Sequence, residues 1–61
     1  MKFIELKFEE QKSHYINVSN ISYVHNNNGL ADIYILFSDK PIKTSLKYEE
    51  VMKLIINTPN F

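Results

Sequence analysis

His14 and His25 are the only side chains in this sequence that ordinarily titrate near neutral pH, so they are its candidate general bases. A base needs an oriented nucleophile and a donor for the charge that develops. Ser13, Ser19, Ser22, Ser38 and Ser45 supply hydroxyls, but a nucleophile elbow and a phosphate-cradling loop both need several glycines, and the chain has only Gly29. Glu9 with Glu10, and Glu49 with Glu50, are adjacent in sequence and therefore diverge on a strand or a helix. His14, His25 and Asp32 could approach one another at a hairpin end, yet a structural zinc site closes with four ligands. With no cysteine, thiolate chemistry, disulfides and cysteine-bound metals are excluded. These residues point away from catalysis, and neither a metal nor a cofactor is expected.

Charge argues in the same direction. Seven lysines balance seven acids, and there is no arginine, so no overall field draws the chain to nucleic acid or anionic lipid. The alternative reading is a small nucleic-acid-binding module. In it Lys2, Lys7, Lys12 and Lys43 would touch phosphates while Tyr15, Tyr23 and Tyr34 stack on bases. Tyrosines packing across strands account for the same residues without a ligand. The longest apolar run, Ile33-Tyr34-Ile35-Leu36-Phe37, is too short to cross a bilayer, and charges interrupt the N-terminal segment. A cytoplasmic protein with no membrane partner is expected.

The elements that would position these groups follow from periodicity. Ile4, Leu6 and Phe8 alternate with charged residues, which marks a half-buried strand. After the polar stretch Glu9–Ser13, a second strand is expected from about His14 to His25, interrupted at Val18-Ser19-Asn20 by a short turn or bulge. Asn26-Asn27-Asn28-Gly29 signals a hairpin, because Asn and Gly tolerate the positive φ of tight turns. Ala31–Phe37 alternates as a third strand and Ile42–Leu46 as a fourth, with Ser38-Asp39-Lys40-Pro41 turning between them. Tyr48, Val51, Met52 and Ile55 then fall at helical spacing, with Glu49 and Glu50 in the first turn and Pro59 beyond the end. The expected fold is α+β: one domain over residues 1–61, a four-stranded antiparallel meander followed by a C-terminal helix.

A helix stripe of Tyr48, Val51, Met52 and Ile55 is expected to cover Ile4, Leu6, Phe8, Ile33, Ile35, Phe37, Ile42 and Leu46. The opposite sheet face then keeps Phe3, Tyr15, Tyr34, Leu36 and Val24. A domain below about 70 residues with no staple commonly completes its burial by oligomerising. Phe3, Tyr15, Tyr34 and Leu36 are therefore the expected anchors of an interface, with a second copy or with a larger protein.

The run Tyr15-Ile16-Asn17, a turn, Ile21 and Val24, a hairpin, a strand and then Leu46-Lys47-Tyr48-Glu49-Glu50-Val51 resembles the FlbD family of short flagellar proteins over nearly the whole chain. Phe8–Ser13 replaces the family's Leu-Asn-Gly hairpin, and Lys47 stands where the family has a helix-capping serine, which makes Ser45 the expected cap. The strand-turn-strand portion is also loosely similar to LytTR-type DNA-binding domains. The resemblance implies a non-enzymatic, self-assembling accessory to a larger machine. A phage-encoded or mobile-element inhibitor of a host system is the other protein-binding role that a short, motif-free chain suggests.

Overall fold

The computed structural model describes residues 2–59, arranged as five strands and one helix: β1 (Phe3–Phe8), β2 (Lys12–Asn17), β3 (Ile21–Asn27), β4 (Leu30–Ile35), β5 (Ile42–Lys47) and α1 (Tyr48–Asn57). The α+β class and the C-terminal helix agree with the sequence. The single four-stranded meander does not. β1 and β2 form a two-stranded antiparallel sheet, and β3, β4 and β5 form a separate three-stranded one.

Asn17 causes the division. Its side-chain oxygen accepts a hydrogen bond from the Ser19 amide at 3.0 Å and caps one turn of 3-10 helix over Val18–Asn20. A side chain that satisfies nearby backbone amides in this way competes with strand pairing. The chain therefore leaves one sheet at Asn17 and enters the other at Ile21. Two backbone hydrogen bonds of 2.8 Å brace the crossing, Val18 N–H to the Lys2 carbonyl and Leu36 N–H to the Asn20 carbonyl.

The core lies between the two sheets and the helix. Ile4, Leu6, Phe8 and Ile16 bury from the first sheet, Ala31 and Ile33 from the second, and Val51 from α1. Ile35, Ile42, Leu46 and Ile55 pack around them, and so does Val24, which was expected on the opposite face but pairs in register with the buried Ile33 and points the same way. Complete burial of a side chain the size of Ile, Leu or Val stabilises the fold by about 1.5–3 kcal/mol. Thr44, 1% exposed, sits among them because its hydroxyl is fully used. It donates to the Ala31 carbonyl at 2.8 Å and accepts from the Leu46 amide at 3.1 Å.

Phe37 was expected in this core and is instead wholly exposed. β4 ends at Ile35, and the next two residues form a turn closed by Ser38 N–H donating to the Ile35 carbonyl at 3.2 Å. Leaving the ladder ends the alternation that would have directed Phe37 inward. Ser45 does not cap the helix either, since it lies in β5 with a φ of 58°. Lys47 is the N-cap and makes no side-chain cap bond. The first helical amide, Tyr48 N–H, is satisfied instead by the Gly29 carbonyl at 2.8 Å.

Candidate interaction surface

Alternation along β3 and β4 sends Val24, Ala31 and Ile33 to the core and Tyr23, His25, Asn27, Leu30, Asp32 and Tyr34 to the other side. The register is set by the two-residue turn Asn28-Gly29, in which both residues have positive φ, 53° and 91°. From that turn Asn27 faces Leu30, His25 faces Asp32 and Tyr23 faces Tyr34. The last pair stacks, with ring centroids 4.3 Å apart and planes 10° from parallel. Tyr23 stays 54% exposed, so the stack presents aromatic surface to solvent. Partial desolvation, with the neighbouring Tyr34 phenol adding to it, raises the Tyr23 pKa above its ordinary 10.0.

A polar row runs beside the stack. Asp32 on the central strand pairs in register with His25 on one side and Lys43 on the other. It is only 7% exposed, and its carboxylate accepts a 3.2 Å hydrogen bond from the Asn27 side-chain amide. His25 opposite Asp32 is an acid–base pairing in register alone, and the side chains of the adjoining rows are tyrosines, Asn27 and Leu30. Rigid aromatic surface next to a polar row suits recognition, where the rings anchor and the charges orient.

The four expected anchors do not share one sheet. Phe3 and Tyr15 lie on the outward side of β1 and β2, with Tyr15 68% exposed and paired in register with Glu5. Glu5 accepts a 2.7 Å hydrogen bond from the Ser13 hydroxyl on the same side. Tyr34 belongs to the stack on the second sheet, and Leu36 is exposed in the turn after β4. The lysines are likewise divided. Lys7 and Lys12 are on the first sheet and Lys2 just precedes it, whereas Lys43 is on the second.

His14 is turned inward, its ring stacked on Phe8 with centroids 4.1 Å apart. Its Nε2 lies 3.5 Å from the Glu9 carboxylate without forming a hydrogen bond. His14 is thus separated by sheet from His25 and Asp32, and no metal-holding cluster of three acidic or histidine side chains occurs among the described residues. No helix of the described residues is long and apolar enough to cross a membrane.

Leu30 and Phe37 are exposed apolar residues that reading single strands did not select, and Tyr23 was selected only for the nucleic-acid alternative, not as an interface anchor. Tyr23 was findable, because a two-residue turn at Asn28-Gly29 requires residues 23 and 34 to face each other. No family model, curated protein or solved structure matches this chain.

Proposed function

We propose that the chain is a small, non-enzymatic protein-binding module of the cytoplasm that self-associates and acts by docking on a larger protein or complex. The observation that carries this reading is the exposed Tyr23–Tyr34 stack beside the His25–Asp32–Lys43 row. Tyrosine supplies large contact area at small entropic cost, and aromatic anchors within a polar rim are the usual anatomy of a binding face. Phe3, Tyr15 and Leu36 add exposed apolar surface elsewhere. The FlbD-like sequence pattern supports a role as accessory to a larger machine; a phage or mobile-element inhibitor would use the same surface.

The nucleic-acid alternative loses support from the division of Lys2, Lys7, Lys12 and Lys43 between two sheets, because a phosphate backbone is best tracked by a continuous basic strip. Two experiments separate the readings. Lysine-directed cross-linking at rising protein concentration is expected to yield discrete oligomers. Fluorescence anisotropy with a labelled single-stranded oligonucleotide at low salt is expected to stay flat. A salt-sensitive rise in anisotropy with no cross-linked species would overturn the proposal in favour of nucleic acid.

A further inference from the structure

Phe37 occupies the third position of the Ile35–Ser38 turn at a φ of 65°, while Leu36 before it is not left-handed. That pattern is of the type II kind, and its third position belongs to glycine because a side chain there is strained. Instead the position carries a phenylalanine that is 106% exposed and so touches essentially nothing in its own chain. Ser38 ties the loop to Lys40, its hydroxyl donating to the Lys40 carbonyl at 3.3 Å and accepting from the Lys40 amide at 3.4 Å. A strained backbone holding a large apolar group in water is the kind of local conflict that proteins keep where it serves binding.

The same chain carries a groove of about 550 Å³ along the outward stripe of α1, where Glu50, Lys53, Leu54 and Asn57 line up at helical spacing and Thr58 and Pro59 close the end. Thr58 turns the chain back by donating to the Leu54 carbonyl from both its amide, at 3.0 Å, and its hydroxyl, at 2.5 Å. Leu54 forms an exposed apolar floor, and the rim has one acid, Glu50, and one base, Lys53. The Phe37 loop carries the matching pair, Asp39 and Lys40, both exposed. Asp39 complements Lys53 as Lys40 complements Glu50.

We infer that Phe37 of one copy inserts into the Leu54 groove of a second copy, and that the two copies exchange this contact reciprocally. The inference rests on the self-association proposed above and assigns it a surface, leaving the tyrosine stack to the larger partner. Reciprocal exchange closes the assembly at two copies and avoids an open fibre. The ion pairs at the rim set orientation and salt sensitivity, while the ring supplies the burial.

Phe37→Gly tests this with the fold left intact, because glycine suits the left-handed position. Light scattering on a sizing column is expected to show a wild-type dimer and a Phe37→Gly monomer, with the dimer dissociation constant raised at least about 100-fold because an aromatic anchor is lost twice. The variant's melting temperature, read at a concentration where both proteins are monomeric, is expected to equal or exceed that of the wild type. Leu54→Lys, which keeps the helix by pairing with Glu50, is also expected to be monomeric. Mixing the two variants should give heterodimers tighter than either variant alone and weaker than the wild type, since one of the two knob-and-groove contacts is then intact. A Phe37→Gly protein that still dimerises like the wild type, or a mixture that associates no more tightly than the variants alone, overturns the inference and leaves self-association standing. A monomeric wild type at every concentration overturns both.

Discussion

The amide of Tyr48 donates to the carbonyl of Gly29 at 2.8 Å, so the first turn of α1 is capped by the tip of the β3–β4 hairpin. This bond replaces the missing side-chain cap at Lys47 and couples helix to turn. Gly29 has a φ of 91° and no atom within 4 Å of where a Cβ would stand, so substitution there tests backbone conformation alone. Gly29→Ala is expected to destabilise the protein by about 1 kcal/mol in chemical denaturation, with the helix start losing hydrogen-exchange protection as well. Exchange changes confined to the hairpin would contradict the coupling.

Thr44 tests the seam between β4 and β5. Thr44→Val keeps the shape but leaves the Ala31 carbonyl and the Leu46 amide without the buried hydroxyl that now serves both. The expected cost is about 1–3 kcal/mol in urea unfolding. A neutral effect would mean that water reaches both groups.

The turn between β1 and β2 stores strain that glycine would release. Glu9, Glu10 and Gln11 all have positive φ, at 55°, 66° and 67°, with no glycine among them. Glu10→Gly is expected to raise stability by up to about 1 kcal/mol, as the left-handed penalty outweighs glycine's greater freedom in the unfolded chain. A lower melting temperature would show that the Glu10 side chain makes a stabilising contribution of its own.

Tyr23 predicts a pH dependence. Its pKa is raised in the fold, so between the unfolded and folded values the folded state holds the proton more tightly. Stability then declines as pH rises through that window above 10.0 and is unaffected by this group at neutral pH. Phenolate absorbance is expected to show Tyr23 titrating late, and Tyr34→Phe is expected to bring it back toward the ordinary value. A late titration unchanged in that variant would remove Tyr34 as a cause.

The sequence was legible wherever a single period or turn residue decided the outcome. Ile4, Leu6 and Phe8 alternate and are buried, Asn28-Gly29 makes the hairpin, and Val51 and Ile55 mark the inward face of α1. It was opaque where a local hydrogen bond or an unsignalled backbone conformation intervened. The Asn17 side chain, bonding to Ser19, divides what alternation reads as one strand. Nothing in Glu-Glu-Gln or Leu-Phe announces left-handed residues, so the first turn and the outward Phe37 escape a reading based on turn composition. For the candidate site, the exposure of Phe3 and Tyr15 followed from alternation, whereas Leu36 is exposed because β4 ends before it. The anchors' distribution over two sheets did not follow from alternation, because it depends on the break at Val18–Asn20.

Self-association is the central claim, and solution mass tests it with no assumption about a partner. Light scattering on the wild-type chain over a dilution series is expected to give about twice the 7.2 kDa of one chain at high concentration, falling toward one chain on dilution. A constant single-chain mass across the series would contradict the claim and leave the tyrosine face, Phe3, Tyr15 and the Phe37 loop as surface reserved for a different protein.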